Sequence, residues 1–150
     1  MTDAEDNQLA EALRLAVGQL VRVVRTADTM SPGEAAVLGY LDREGPLTTA
    51  QIAQRRGVSH QSAAKTVKEL SAQDLVRTEP HPSDGRKLLL HITAAGSGRL
   101  AEERQGRADS LGTAISDTLE PGERSTLAAA LPLLSRLTAY LKATTGPGPR

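Results

Sequence analysis

The stretch between residues 75 and 92 most constrains the fold, because its pattern differs from that of the rest of the chain. Two short runs of strand-forming residues, about Leu75–Glu79 and Lys87–Ile92, flank the segment Pro80-His81-Pro82-Ser83-Asp84-Gly85. Proline, aspartate and glycine so close together favour a tight turn, so the pattern predicts a β-hairpin. The segments on both sides repeat apolar residues every three or four positions, as helices do. The sequence therefore predicts a mainly α (α+β) fold with one hairpin.

Two amphipathic segments begin the chain. The second starts at Ser31, a good N-cap for a helix with Pro32 at its first position, and it ends at Gly45. The first has an apolar stripe that is typical of a helix packed on one face. That stripe consists of Leu9, Leu13, Ala16, Val17, Leu20 and Val24.

Two shorter helices follow before the hairpin. The third starts with Thr48 or Thr49 as its cap and ends at Gly57. Ser59 then caps the fourth helix. The apolar residues of this fourth helix recur on one side and predict its inner face. They are Ala63, Val67 and Leu70.

Two long helical stretches follow the hairpin. Thr93 caps the first of them, which four glycines weaken, and the second starts at Pro121. Pro132 is expected to kink or interrupt that second helix, because proline lacks a backbone donor and crowds the preceding turn. The apolar stripe of the last helix consists of Leu127, Leu131, Leu134, Leu137 and Leu141.

Composition limits the core and the chemistry that the chain can support. Its 150 residues correspond to a single domain, residues 1–150. With Tyr40 and Tyr140 as the only aromatic residues, the core must be aliphatic. The absence of cysteine excludes disulfides and thiol redox switches. Because no apolar run approaches the roughly 20 residues of a membrane span and no secretory pattern opens the chain, we expect a cytoplasmic protein with no membrane partner.

Charge is unevenly distributed, although the chain as a whole is neutral. Residues 1–50 carry four basic against eight acidic side chains, whereas residues 51–91 carry seven basic against four acidic. Local clustering of positive charge, and not the total, attracts nucleic acid. The basic middle third is therefore a candidate for binding DNA, although an ordinary solvated face could have the same composition.

The third and fourth helices, joined at residues 57–59 and followed by the hairpin, form a winged helix-turn-helix over approximately residues 31–93. Amphipathic helices flank this lobe at about residues 5–28 and 94–142, and the lobe is too small to cover both. Burying their apolar faces against a second copy is the natural solution. We therefore expect N- and C-terminal dimerisation helices in a homodimer, with residues 143–150 as a flexible tail.

Two motifs of the chain, one for a recognition helix and one for the wing that follows it, resemble those of the MarR family (multiple antibiotic resistance regulators). The recognition-helix motif of the family is similar to residues 58–70 followed by residues 74–76. Its wing motif, D-x-R followed by a strand and L-T-x-x-G, resembles residues 84–86, the strand after them, and residues 92–96. The resemblance extends over roughly residues 9–142 and implies a single MarR-like domain.

Three positions depart from the family pattern. Asp74 stands where a glycine usually closes the recognition helix. Aspartate tolerates left-handed backbone better than most residues, so the turn is expected to survive at some cost. Gly85 replaces a common second arginine, which removes one phosphate-binding charge, and Ile92 replaces a leucine.

The exposed face of the predicted recognition helix carries side chains that can contact DNA. Glutamine can bond adenine, lysine can reach guanine acceptors, and serine can bond bases or phosphates. Residues at the start of such a helix enter the major groove first, whereas a lysine one turn later suits phosphate. The candidate contacts on this helix are Ser59, His60, Gln61, Ser62, Lys65 and Lys68. His60 either contacts the DNA backbone or is simply solvated, and Thr49 with its free backbone amides can hold a further phosphate.

The hairpin tip supplies a second candidate contact. Arg86 can enter the narrow minor groove of A·T-rich DNA, where the negative potential is strongest. The family resemblance implies the same role, with Asp84 orienting the guanidinium. Lys87 and Arg77 are candidates for phosphate contacts at the strand edges. The alternative is a surface ion pair between Asp84 and Arg86 that only stabilises the turn.

Two other kinds of site fit the sequence poorly. Residues 62–65 have the Ser-x-x-Lys spacing of serine acyl enzymes, but the Ser-Asp-Asn and Lys-Thr-Gly motifs that such enzymes also need do not occur. We therefore do not expect an enzyme. The three histidines, His60, His81 and His91, are scattered and have no thiolate beside them, so we expect neither a metal nor a cofactor.

These patterns predict a sequence-specific transcriptional regulator that binds double-stranded DNA as a homodimer on a pseudo-palindromic operator. Repression by occlusion of the promoter is the favoured output. The family resemblance implies release by a small lipophilic or aromatic ligand that binds between the dimerisation helices and the DNA-binding lobe. An alternative, favoured by the zero net charge and by Gly85, is a winged-helix adaptor that binds proteins and has lost specific DNA binding.

Overall fold

The computed structural model describes residues 2–145, which form six helices and three short strands. The helices are α1 (Asp3–Arg25), α2 (Pro32–Glu44), α3 (Thr49–Arg56), α4 (His60–Ala72), α5 (Ala94–Thr118) and α6 (Pro121–Thr144). The strands are β1 (Leu47–Thr48), β2 (Val76–Pro80) and β3 (Leu88–Ile92), which form an antiparallel sheet in the order β1-β3-β2. The predicted mainly α fold with a winged helix-turn-helix is confirmed.

The chain divides into two compact units, with the boundary inside α5. The first unit reaches Ala108 and contains the helix-turn-helix, the sheet and α1. The second begins at Asp109 and contains the end of α5 together with α6. In the second unit, Arg124 donates hydrogen bonds to the carbonyls of Leu119 and Ser116, each at 2.9 Å. These bonds hold the start of α6 to the end of α5.

Reciprocal capping bonds set the start of α2 and α3. The Ser31 hydroxyl accepts from the Glu34 amide at 3.2 Å, and the Glu34 carboxylate accepts from the Ser31 amide at 3.2 Å. Thr48 and Gln51 exchange the same two bonds, at 3.2 and 2.9 Å. The start of α2 is therefore as predicted, and Thr48, not Thr49, is the cap of α3.

The end of α4 is closed by backbone hydrogen bonds around a left-handed residue. Asp74 has φ of 59° and is the only non-glycine residue with positive φ within residues 2–145. The amide of Leu75 donates to the carbonyl of Leu70 at 3.0 Å, and the amide of Asp74 donates to the carbonyl of Ser71 at 3.1 Å. This pair of bonds is the Schellman motif that usually contains glycine. The turn expected at Asp74 is confirmed.

The core of the first unit consists of aliphatic side chains and Met30, and most of it lies between α2, α3, α4 and the sheet. The inner face predicted for α4 is confirmed, since all three of its apolar residues are buried. Tyr40 lies at the edge of the core, where its hydroxyl donates to the carbonyl of Arg55 at 3.1 Å. The largest fully buried side chains are those of Leu38, Leu41, Ile52, Leu70, Leu90 and Val37.

The start of α5 packs against the backbone where α4 leads into β2. The predicted cap is confirmed, because the Thr93 hydroxyl accepts from the Gly96 amide at 3.0 Å. The Thr93 amide donates to the carbonyl of Leu75 at 3.1 Å. A Cβ atom on Gly96 would lie 2.1 Å from that same carbonyl oxygen. Only glycine can occupy position 96 without moving the backbone.

A polar network joins α5 to the loop between α1 and α2. The buried Glu103 carboxylate accepts from the Thr29 amide at 3.0 Å, from the Thr29 hydroxyl, and from Arg99 at 2.8 Å. Arg107 makes a two-pronged ion pair with Asp28, with both bonds at 2.7 Å. Burial alone would raise the pKa of Glu103, but the bonds from Thr29 and Arg99 outweigh it and hold the pKa below its usual range.

Replacing Glu103 with glutamine is expected to lower the free energy of unfolding at pH 7 by about 1–3 kcal/mol, because an amide cannot accept all of these bonds. The folded-state pKa of Glu103 is lowered, so its contribution is complete above the unfolded-state pKa and is lost as the pH falls through the folded-state pKa. Urea titrations at pH 7 and at acidic pH should show the two proteins converging in acid. Replacing the exposed neighbour Glu102 with glutamine should change the free energy of unfolding little at either pH. A pH-independent difference for Glu103→Gln would contradict the account.

The structure differs from the sequence prediction in four respects. The hairpin strands begin one residue later than expected, and β1 was not predicted at all. Of the kink or interruption predicted at Pro132, the interruption does not occur: α6 continues through this residue, since alanine and leucine on both sides favour helix and proline costs one amide donor. The first two residues of the predicted tail at 143–150 belong to α6, and those from 146 onward lie outside the described residues.

Candidate nucleic-acid interface

The turn between α3 and α4 fixes the direction of the fourth helix. Gly57 ends α3 in the left-handed conformation, with φ of 65°. The amide of Val58 then donates to the carbonyl of Ala53 at 3.1 Å. Ser59 caps α4, and its hydroxyl accepts from the Ser62 amide at 3.1 Å. A hydroxyl that accepts one hydrogen bond can still donate its own proton, so Ser59 keeps a donor for a further partner.

The exposed face of α4 carries all the side chains that the sequence assigned to it. Helical periodicity places this face opposite the buried residues of α4. The exposed residues are Ser59, His60, Gln61, Ser62, Lys65 and Lys68. Within residues 2–145, neither of the two lysines lies within ion-pair distance of a carboxylate. Their charges are therefore available to an external anion.

The tip of the hairpin is ordered by one carboxylate. Asp84 Oδ1 accepts from the Arg86 amide at 3.1 Å and from Arg86 Nε at 3.3 Å. These bonds hold the pKa of Asp84 below its usual range, so the carboxylate stays ionised. The Lys87 amide donates to the Asp84 carbonyl at 3.0 Å. The Arg86 side chain is nevertheless 93% exposed, so the pair orients the guanidinium without covering it.

Strand β1, which the local sequence pattern does not predict, brings the start of α3 beside the hairpin. Thr48 lies opposite Leu89, and Leu47 opposite Leu90, in the pairing of β1 with β3. A cleft of about 310 Å³ results between the start of α3, the start of α4 and the residues where the hairpin turn leads into β3. It is lined by Thr48, Thr49, Ala50, His60, Arg86, Lys87 and Leu88. Four of the residues predicted as contacts therefore meet in one place.

The cleft can hold an anion by charge and by hydrogen bonding. Arg86 and Lys87 supply positive charge, and His60 supplies a ring nitrogen that can donate. Thr49 is the first residue of α3, but the Thr48 side chain already occupies the Gln51 amide, so not every backbone amide there is free. Lys68 and Lys65 do not line this cleft and lie along the α4 face instead.

Arg77 is a weaker candidate for a DNA contact than the other cations, because a carboxylate pairs with it. It makes an ion pair with Glu79 at 3.4 Å, and Glu79 also accepts from His91. The hydrogen bond from His91 is the main reason that the pKa of Glu79 lies below its usual range. The cross-strand pairing therefore neutralises much of the charge on this face of the hairpin. Sequence spacing alone could not show that Arg77 and His91 share a carboxylate, because the hairpin register determines it.

Two negative findings apply to the part of the chain that the structure describes. Between residues 2 and 145, no cluster of three or more histidine, aspartate or glutamate side chains could hold a metal ion. None of the helices in that range combines the length and apolarity that a bilayer crossing requires.

Comparisons with known proteins agree with this architecture. The model of the MarR family matches residues 28–87. An HTH-type transcriptional regulator of Mycobacterium bovis is 31% identical over 88% of this chain and 94% of its own length. The crystal structure of a transcriptional regulator from Pseudomonas aeruginosa, 29% identical, superimposes with a TM-score of 0.80 over 92% of this chain and 98% of that one. The BpsR protein of Bordetella bronchiseptica shares the fold, with a TM-score of 0.53 and 22% identity over 85% of this chain and 98% of its own.

The relatives identified by sequence are regulators of transcription and not enzymes. The helix-turn-helix and the wing occur here in a fold that superimposes on that of the Pseudomonas regulator. This chain belongs to the MarR family of DNA-binding winged-helix transcriptional regulators.

Proposed function

We propose that the chain is a homodimeric repressor that binds a pseudo-palindromic operator, with α4 in the major groove and the hairpin in the adjacent minor groove. The observation that carries the proposal is the placement of exposed cations on both α4 and the hairpin tip of one compact unit. No carboxylate within residues 2–145 pairs with Lys65 or Lys68, and the pair of Arg86 with Asp84 leaves the Arg86 side chain 93% exposed. Such a surface complements the phosphates and base edges of B-form DNA. A repressor of this kind acts by occupying the promoter.

Roles follow from side-chain chemistry and position. Gln61, Ser62 and Lys65 lie in the first two turns of α4 and contact base edges. Arg86 enters the minor groove, and Asp84 orients its guanidinium. The remaining candidates contact phosphates and set the register of the protein on the duplex. They are Thr49, Ser59, His60, Lys68 and Lys87.

We propose that a second copy of the chain buries the apolar faces of α1 and α6. Neither helix has a single buried residue, although both carry many large apolar side chains. Exposed apolar surface of this extent marks an interaction site. We therefore propose residues 5–28 and 94–142 as the dimerisation helices. Sedimentation equilibrium should give twice the chain mass, and a monomer at micromolar concentration would contradict the homodimer.

Release by a small ligand is the proposed form of regulation. The DNA binding of the Bordetella relative is regulated by 6-hydroxynicotinic acid, an aromatic acid. A ligand can shift this chain away from DNA only by its differential affinity for the free and bound conformations. Titration of the protein–DNA complex with a panel of aromatic acids is expected to release DNA with at least one of them. Failure of the whole panel would remove this part of the proposal.

The direct test is selection of bound duplexes from random-sequence DNA. We expect a motif of two inverted half-sites about one helical turn apart, because each recognition helix of a dimer enters one major groove. The affinity should fall steeply with salt, with about 0.9 counterions released per phosphate contacted. No enrichment, or binding that ignores salt, would contradict the proposal and favour the protein-binding adaptor.

Lys65→Ala is expected to weaken binding to the selected duplex by about 1–3 kcal/mol and to relax the preference at one base pair of the half-site. Lys68→Ala is the matched control, since it removes the same charge one turn later. That control should weaken binding to all duplexes equally and reduce the salt slope by about one. The measurement is fluorescence anisotropy on the selected duplex and its single-base variants. Equal behaviour of the two variants would contradict the distinction between base and phosphate contacts.

A further inference from the structure

The buried face of α4 contains a polar contact that neither the packing of the core nor contact with DNA explains. Thr66 is a buried threonine on the inner face of α4, among otherwise aliphatic neighbours. Its hydroxyl accepts a hydrogen bond from Arg56 Nη1 at 3.2 Å and donates one to the Ser62 carbonyl at 3.3 Å. A chain of two hydrogen bonds therefore runs from the last residue of α3 to the backbone of α4.

The guanidinium of Arg56 also lies against α2. A Cβ atom built on Gly33, in the first turn of α2, would be 2.8 Å from Arg56 Nη2 and 3.5 Å from the Thr66 hydroxyl. The absence of a side chain at position 33 thus provides the space that the guanidinium occupies. Arg56 is the point at which α2, α3 and α4 meet.

The geometry points to Arg56 as a positioning residue that acts through Thr66 to set the orientation of α4, and thereby the base preference of the protein, without itself touching DNA. The inference rests on the proposed function, because it presupposes that α4 contacts base edges. The Ser62 carbonyl at the end of the hydrogen-bond chain belongs to a residue proposed to contact DNA. A small rotation of α4 would displace Ser62 and Lys65 together, since both project from the same turns.

Two features of the contact favour positioning over simple stabilisation. An aliphatic pair would fill the same space at less cost, because burying polar groups requires each to find a partner. A hydrogen bond, unlike an apolar contact, constrains direction as well as distance. The bond from the Thr66 hydroxyl to the carbonyl one turn earlier also favours a local bend in the helix. Together these bonds define the path of α4 through the residues that would enter the major groove.

The test is a comparison of Arg56→Met and Thr66→Val on duplexes that the parent protein enriches from random-sequence DNA. Thr66→Val nearly keeps the volume of the side chain and the charge of the protein, and it replaces the hydroxyl with a methyl group. We expect each variant to bind the enriched duplex about five- to tenfold more weakly and to discriminate less against single-base changes in the half-site. The double variant should be no weaker than either single variant, because both substitutions break one connection.

Arg55→Met is the matched control for the loss of charge. Arg55 is the neighbouring residue of α3, but its guanidinium pairs with Glu44 at 2.8 Å. We expect Arg55→Met to retain the base discrimination of the parent. Circular dichroism at the assay temperature shows whether each variant is folded. If Arg56→Met does not fold, the test is the loss of discrimination between duplexes by Thr66→Val alone.

The salt dependence of binding separates positioning from direct contact. A positioning residue leaves the slope of log affinity against log salt unchanged, whereas loss of a phosphate contact lowers the slope by about one. A reduced slope for Arg56→Met with normal binding by Thr66→Val would overturn the inference. Discrimination equal to that of the parent in both variants would overturn it as well. If the parent enriches no duplex, the proposed function fails and the inference fails with it.

Discussion

Replacing Gly96 with alanine is expected to destabilise the protein by about 3 kcal/mol or more, through a backbone clash and the loss of a hydrogen bond. The new Cβ atom would lie 2.1 Å from the Leu75 carbonyl oxygen and 2.9 Å from a side-chain carbon of Ile92. The first of these is main chain, which cannot rotate away as a side chain can. Relief requires that α5 move away from Leu75, which breaks the bond from the Thr93 amide to the same oxygen.

Gly98→Ala is the matched control for this prediction. It makes the same substitution two residues further along α5, where a Cβ atom meets nothing within 4 Å. Alanine has a higher helix propensity than glycine, so this variant should be more stable than the parent by about 0.5–1 kcal/mol. Urea titrations of both variants at one protein concentration measure the two effects. A small loss for Gly96→Ala would mean that the start of α5 is not held where the structure places it.

Removal of Arg86 is expected to give the largest loss of DNA binding among single substitutions. Arg86→Ala removes the guanidinium from both hairpins of the proposed dimer, so the affinity for the selected operator should fall by about a hundredfold or more. The loss should be greatest on duplexes with A·T-rich flanks, where the minor groove is narrow and its potential most negative. Thermal stability should be unchanged, because the side chain is 93% exposed.

Arg77→Ala is the control for charge on the same hairpin. This variant loses the same single charge, but Arg77 pairs with Glu79 and lies away from the hairpin tip. We expect a much smaller loss of affinity, with the preference for A·T-rich flanks retained. Electrophoretic mobility shifts on duplexes with A·T and G·C flanks measure both quantities. Parent-like binding by Arg86→Ala would remove the hairpin from the interface and leave α4 as the whole contact surface.

The predictions that the structure confirmed came from local signals. Ser31 and Thr93 are good caps, Asp74 tolerates left-handed backbone, and the Pro-rich turn at residues 80–85 separates two strands. In each case a few neighbouring residues contain the cause. The exposed face of α4 follows from helical periodicity in the same way, so its polar residues could be identified without coordinates.

The features that the sequence could not supply depend on distant partners. Strand β1 has two residues and exists because Leu90 and Leu89 of β3 lie opposite them. The cleft that unites His60 with Arg86 follows from that pairing, as does the place of Thr48. The bond between Arg56 and Thr66 joins residues ten apart whose types give no hint of contact. Periodicity assigns a residue to a face, but it does not say what lies opposite that face.

The division of α4 into two faces has a consequence for how such a protein changes over evolution. Its ends are closed by Ser59 and by the turn at Asp74, and its buried side holds it to α2 and α3. The outward residues therefore contribute little to folding, and exchanges among them alter stability by no more than about 0.5 kcal/mol. With the base-contact roles proposed for Gln61 and Lys65, a lineage can replace either residue and acquire a new target promoter while the scaffold stays intact.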